Sequence, residues 1–165
     1  MSAVRHVSVT PATQALHKAG IAYVEHVYDY VDHGGTGEAA SQLGIDEARI
    51  VKTLLMQDER GKELVILMHG DCSVSTRNLA RAIGVKSVSP CSPEQARRAT
   101  GYRVGGISPF GTRKRLPVYV ERTIMSLPAL LINGGQRGYL LEIEPPALTR
   151  LLDATEVECA LKETP

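Results

Sequence analysis

Lys52 is the first residue whose surroundings ask for a chemical explanation. In Ile50-Val51-Lys52-Thr53-Leu54-Leu55-Met56, strand alternation sets Lys52 on the same face as Ile50, Leu54 and Met56. An ammonium on an apolar face is costly to bury without a partner. The position is therefore functional, or it holds a lysine that snorkels from a strand end or guards an edge. Two glycine-rich runs come next. Gly101-Tyr102-Arg103-Val104-Gly105-Gly106-Ile107-Ser108-Pro109-Phe110-Gly111 sets adjacent glycines where backbone can approach a ligand closely, and Pro109 stiffens the residues after it. The plainer reading of that run is a long turn. Asn133-Gly134-Gly135-Gln136-Arg137-Gly138 lies between two strand-like runs and reads as a hairpin loop, whatever else it does. Neither run is a nucleotide loop: the first lacks the closing Gly-Lys-Ser/Thr, and neither is a Gly-x-Gly-x-x-Gly that opens a helix.

Conventional catalytic machinery is missing. His6, His17, His26, His33 and His69 show no metal-ligand spacing, so no metal and no other cofactor is expected. There is no Gly-x-Ser-x-Gly elbow. Cys72 and Cys91 lie in Ser-rich loops and read as inert thiols rather than nucleophiles. Asp29, Asp32, Asp71 and Ser75 are explained as turn and cap residues. No conventional hydrolytic triad or carboxylate pair can be assembled from these residues.

The elements that must position these residues can be read from pattern and caps. Thr10-Pro11 opens a helix over 11–19 that Gly20 stops. Ile21–Tyr30 reads as a strand, and a flexible stretch from Asp32 leads into a short helix through Leu43, closed by Gly44. Ile50–Gln57 and Glu63–His69 are strand-like and flank a loop that suits a hairpin. Ser75 begins a helix ended by Gly84, and Ser92-Pro93-Glu94-Gln95 is a capping box for a helix over 93–100. The irregular segment 101–117 precedes strands near 118–122, 129–133 and 139–143. A last helix runs from Glu144-Pro145-Pro146 through Leu152, with a short strand at Val157. Strands and helices mix without strict alternation or repeat, which predicts one α/β domain over residues 1–165. Its mixed, mostly antiparallel curved sheet is packed with helices.

Composition bounds the function. The chain has 165 residues, 43% hydrophobic and 22% charged, within the range of folded globular domains. A formal net charge of +1 gives no global attraction to nucleic acid or membrane, and 4% aromatics leave few stacking platforms for single strands. Apolar runs such as Leu64–Met68 are too short to span a bilayer, and Met1–Thr13 lacks a signal-peptide pattern. Three cysteines without a Cys-x-x-Cys pair fit a reducing cytoplasm. Local charge is more telling. Arg97, Arg98, Arg103, Arg113, Lys114 and Arg115 are six basic residues with no acid among them, either a solvated loop or a weak, salt-sensitive phosphate-facing patch.

Three motifs in order carry a resemblance. Val51-Lys52-Thr53-Leu54 comes first. Next is Gly101-Tyr102-x-x-Gly105-Gly106-Ile107-Ser108-Pro109-Phe110-Gly111, with its basic run and Leu116-Pro117-Val118-Tyr119. Asn133-Gly134-Gly135-x-Arg137-Gly138 is the third. Together, across about Leu16 to Leu152, they resemble the YbaK-type aminoacyl-tRNA deacylases, the Cys-tRNA(Pro) deacylase group related to the editing domain of bacterial prolyl-tRNA synthetases.

The resemblance implies that fold, and a trans-editing enzyme that removes cysteine from mischarged tRNA(Pro). It places the family's essential lysine on Lys52 and its pocket tyrosine on Tyr28. Substrate-binding positions fall on Thr53, Gly105, Gly106, Ile107, Ser108, Pro109, Asn133 and Gly134. Arg113, Lys114, Arg115 and Arg137 become candidates for tRNA contact, with the acceptor end of the tRNA and a prolyl-tRNA synthetase as partners, and with no DNA or membrane. In the family's mechanism the substrate's own thiol attacks its ester, which accounts for the missing nucleophile. Lys52 would orient the terminal phosphate or ribose, and amides of the Gly105–Ser108 loop would stabilise the oxyanion. Many members have an aromatic residue near Gly35 and an Asp at Leu140. Alternatives are a deacylase for alanine, serine, threonine or 2-aminobutyrate, and a non-catalytic module that binds tRNA ends or a synthetase.

Overall fold

The computed structural model describes residues 9–163. His6 and most of the stretch read for a signal peptide lie outside them. Helix α1 (Pro11–Lys18) starts as its caps dictate: the Thr10 hydroxyl accepts from Thr13 N–H at 3.1 Å, and Thr10 N–H donates to the Thr13 hydroxyl at 2.9 Å. A cap of this kind is worth about 1 kcal/mol. After it come β1 (Val24–Val27), α2 (Gly35–Leu43), β2 (Ile50–Asp58), β3 (Glu63–His69), β4 (Cys72–Val74), α3 (Thr76–Ile83), β5 (Val88–Pro90) and α4 (Pro93–Thr100). Beyond the long loop are β6 (Val118–Glu121), β7 (Leu130–Gln136), β8 (Tyr139–Ile143), α5 (Pro146–Leu152), β9 (Thr155–Val157) and β10 (Ala160–Lys162).

The main sheet has the order β1-β8-β7-β2-β3-β6-β9, with β5 also on β2, while β4 and β10 pair separately. Pairings β2–β7, β3–β6 and β6–β9 are parallel and the other five are antiparallel, so the fold is mixed α/β with a mostly antiparallel sheet. The central strand β3 is buried on both faces. Val65 and Leu67 face a core with Leu16, Phe110 and Ile132, whereas Ile66 and Met68 face another with Leu79. A strand covered on both sides reads as a continuous apolar run, which Leu64–Met68 is.

Two expectations need correction. The first strand is four residues, not the expected Ile21–Tyr30. Its only strand partner among the described residues is β8, over Val24–Val27, after which Tyr28 N–H turns to Gly138 O at 3.0 Å. From there Gln42 on α2 grips the backbone of Asp29 at both N–H and C=O, each at 2.8 Å, and draws the chain off the sheet. The second correction is the addition of strands β4, β5 and β10, since three residues carry too little periodicity to register in the sequence.

One detail of the topology creates the site. Strand β2 pairs with β3 along one edge over Val51–Gln57. On its other edge β7 pairs only at Ile50 and Val51, and β5 takes over only from Met56. Between them the sheet splits, and Lys52–Leu55 border the gap.

Candidate active site

A cleft of about 840 Å³ occupies this split, within the range usual for small-ligand sites. Its floor is β2 from Ile50 to Met56. Around it stand Tyr28, Tyr30 and the start of α2, then Val104, Gly105, Ile107, Asn133 and Arg137, and Cys91, Pro93 and Ala96. A second groove of about 530 Å³ lies between α3 and the β6–β9 edge, and none of the residues singled out from the sequence line it.

Lys52 is half-buried and partnered: Nζ donates to Cys72 O at 2.5 Å and stands 3.7 Å from a Glu163 carboxylate oxygen. The reason its position demanded is therefore supplied by β4 and by the residue after β10. Thr53, next along the floor, has a buried hydroxyl oxygen with no hydrogen-bond partner among the described residues. A buried polar atom left unpaired is uncommon in folded proteins and costs stability unless a ligand satisfies it.

The two glycine-rich loops form one wall because they lock together. Asn133 Oδ1 accepts from the amides of Gly135 (2.6 Å) and Gln136 (3.2 Å), holding its own turn, while Nδ2 donates to Gly105 O at 3.2 Å. Arg137 Nε donates to Val104 O at 3.0 Å, and its guanidinium lies 4.8 Å from the centre of the Tyr30 ring. The glycines are demanded by closeness. A Cβ on Gly105 would meet the Tyr30 hydroxyl at 2.7 Å, and one on Gly106 would meet Arg137 N at 2.9 Å. Thr10 reaches across from the α1 cap to Gly134 O at 2.6 Å, and Tyr102 donates to Phe110 O at 2.6 Å, so both loops are also tied from behind. Burial raises the Tyr102 phenol to about 12 and also pushes up that of Tyr28, whose neighbour Tyr30 adds to the effect.

The fold thus brings Tyr28, Lys52, Thr53, Gly105, Ile107, Asn133 and Arg137 to one cleft. Gly106, Ser108, Pro109 and Gly134 are buried behind the lining. Ser108 Oγ accepts from Phe110 N–H at 3.2 Å and shapes the turn. The expected row of free loop amides is shorter than the sequence suggested, because Gly106 N–H is committed to Arg103 O at 2.8 Å. Arg113, Lys114 and Arg115 are exposed but do not line the cleft, and Lys114 pairs with Glu63 at 3.0 Å.

Tyr30 and Glu163 escaped sequence reasoning, and Cys91, read there only as an inert thiol, lines the cleft. Tyr30 stood two residues from Tyr28 as a signal, whereas nothing local marks Glu163. Leu140, where many members of the resembling family have Asp, is buried against Ala39, Ile50 and Leu131 and gives the cleft an apolar patch. Among the described residues no cluster of His, Cys, Asp or Glu could hold a metal ion, and no helix is long and apolar enough to cross a membrane.

Known proteins share this architecture. Over 155 residues the chain is 29% identical to the Enterococcus faecalis protein named "Putative Cys-tRNA(Pro)/Cys-tRNA(Cys) deacylase EbsC", spanning 93% of this chain and 94% of that one. It is 31% identical over 90 residues to a proline--tRNA ligase of Acidithiobacillus ferrooxidans, spanning 54% of this chain and 16% of the ligase. A solved structure described as "a putative trans-editing enzyme for prolyl tRNA synthetase" superposes with a TM-score of 0.78 at 26% identity, covering 95% of this chain and 100% of that one. A family model described as an aminoacyl-tRNA editing domain matches residues 34–151, which carry the β2 floor and both glycine-rich loops of the cleft, and the chain belongs to the aminoacyl-tRNA editing domain family.

Proposed function

We propose that this protein is a trans-editing deacylase whose substrate is Cys-tRNA(Pro), cleaved with the help of the substrate's own thiol. The observation that carries the reading is the composition of the cleft. It presents a positioned ammonium, an unpaired buried hydroxyl on Thr53 and two rigid loops, with no side chain set up as a nucleophile. Its one thiol, Cys91, is pushed up in pKa by burial and by Glu63, so it is a poor nucleophile at neutral pH.

In this mechanism the aminoacyl end of the tRNA enters the gap beside β2. Lys52 orients the terminal phosphate or ribose, Tyr28 and Leu140 flank the amino-acid side chain, and the Thr53 hydroxyl pairs with a polar group of the substrate. The substrate thiol attacks its own ester carbonyl. The carbon–sulfur bond forms as the bond to the ribose oxygen breaks, the thiol proton passes to that oxygen through solvent, and a cyclic thiolactone leaves. Holding thiol and ester in attack geometry is an orientation effect, which can lower a barrier by several kcal/mol, about 7–11 kcal/mol in the best-oriented cases. The Arg137 side of the cleft mouth supports contact with the phosphates of the acceptor end, with Arg113, Lys114 and Arg115 as outlying contacts. A synthetase partner is part of the same reading, since the chain resembles a segment of proline--tRNA ligases.

The test is single-turnover deacylation of tRNA(Pro) carrying Cys, Ala, Ser, Thr or 2-aminobutyrate, by wild type and Lys52→Ala. Selective loss of Cys that is at least about 100-fold slower in the variant is expected. Preference for an ester without a thiol would refute the thiol step, and no turnover of any ester would refute the deacylase assignment.

A further inference from the structure

We propose that strand β10 is part of the catalytic apparatus and that Glu163, the residue after it, is a positioning residue for Lys52. The inference rests on the deacylase reading above. It begins with a strand that has no core of its own: Ala160, Leu161 and Lys162 are all exposed, Leu161 at 49%. Apolar burial anchors the chain just before the strand, where Val157 and Cys159 join the core with Leu79, but it gives β10 itself nothing. Polar pins hold the strand in place. Glu121, only 4% exposed, accepts from the amides of Cys159 (2.7 Å) and Ala160 (3.0 Å) on one carboxylate oxygen. Ser75 N–H donates to Cys159 O at 2.7 Å, and Glu163 N–H donates to Asp71 O at 3.2 Å. Lys162 adds an ion pair to Asp71 at 3.6 Å. Burying a carboxylate is expensive, and here its hydrogen bonds fix the backbone of a surface strand.

What that anchoring delivers is the environment of Lys52. Cys72 and Lys162 are register partners in the β4–β10 ladder. The Cys72 carbonyl that takes the ammonium at 2.5 Å and the Glu163 carboxylate at 3.7 Å thus come from one end of one two-stranded unit. A lysine ammonium has three donors on a flexible stem, and one carbonyl fixes only one direction. The charged partner, at ion-pair rather than hydrogen-bond distance, biases the ammonium toward a second direction and leaves donors free for the substrate. Strand β10 also lies beyond residues 34–151, outside the span matched by the family model.

The Glu163 side chain is 53% exposed, so its pull on Lys52 is screened and its contribution is aim rather than affinity. Glu163→Gln should lower the single-turnover rate at saturating enzyme by about three- to five-fold, and Glu163→Lys by about ten-fold, with the half-saturating concentration within two-fold of wild type. Melting temperature should not move, because Glu163 buries nothing. A second readout is independent of turnover: acetic anhydride labelling of Lys52 relative to the other lysines, read out by peptide mass, should rise at least two-fold in Glu163→Gln. Unchanged rates in both variants, or a rate that rises because the carboxylate competes with substrate phosphate, would overturn the proposal. If wild type proves inactive on every mischarged tRNA, the deacylase reading fails, and labelling still decides the contact: a rise supports it and no change overturns it.

Discussion

Gly106→Ala should separate the two loops that make one wall of the cleft. Gly106 is buried and its φ is not in the left-handed region, so the backbone itself accepts alanine and the problem is space. The added Cβ would stand 2.9 Å from Arg137 N, 3.0 Å from Gln136 C and 3.2 Å from Gln136 Cα, against 3.4 Å where ordinary contact begins. All three are backbone atoms, so no rotamer change relieves them and the loops must part by about half an ångström. The Asn133–Gly105 bond, already 3.2 Å, is lost by that shift, and the Arg137–Val104 bond at 3.0 Å is stretched. Overpacking costs about 1–3 kcal/mol and a half-exposed hydrogen bond about 0.5–1.5 kcal/mol, so the sum is about 1.5–4.5 kcal/mol. For a chain of this size that lowers the melting temperature by about 3–18 °C. A wall displaced by half an ångström should also reduce kcat/KM for deacylation by about ten-fold. The assay is calorimetry with single-turnover deacylation on the same preparation. Gly37→Ala is the internal control: it lies in α2, its Cβ meets only Glu47 at 3.6 Å, and alanine there should stabilise by about 0.5–1 kcal/mol. A Gly106→Ala protein that melts within about 1 °C of wild type and keeps its kcat/KM within two-fold would refute the loop-locking account.

Three other perturbations test the remaining parts. Glu121→Ala strips the amides of Cys159 and Ala160 of their charged acceptor and should cost about 2–4 kcal/mol, with hydrogen exchange rising first in residues 158–163; unchanged protection there would mean β10 is held by other means. Tyr102, raised from 10.0 to about 12 by burial, contributes stability that is whole below pH 10 and lost as pH climbs toward 12. Tyr102→Phe should thus melt lower than wild type at pH 8 by about 1 kcal/mol, yet lose less between pH 10 and 12; parallel alkaline curves would exclude Tyr102 as the titrating group. Cys91→Ser should leave deacylation within two-fold of wild type, because the thiol lies in the cleft but is held protonated; a loss above ten-fold would make Cys91 a reactant.

Local chemistry was legible where it is settled within a few residues. The N-cap at Thr10, the capping box at Ser92, the glycines closing α2 and α3, and the Asp58–Lys62 hairpin all stand where the local residues set them, since each motif satisfies its own backbone. The period of two around Lys52 was legible too, and with it the puzzle of a lysine on an apolar face. What answers the puzzle was not. Cys72 and Glu163 meet Lys52 from 20 and 111 residues away through a pair of three-residue strands, too short for any periodic signal and fixed by a buried Glu121 from another strand. The cleft itself exists because β7 leaves β2 after Val51 and β5 joins only at Met56, a matter of which strands meet and where they part. Sequence determined which residues had unmet chemical needs; only the tertiary structure, by choosing partners across distances that local pattern does not encode, decided how those needs are met and which are left open for a substrate.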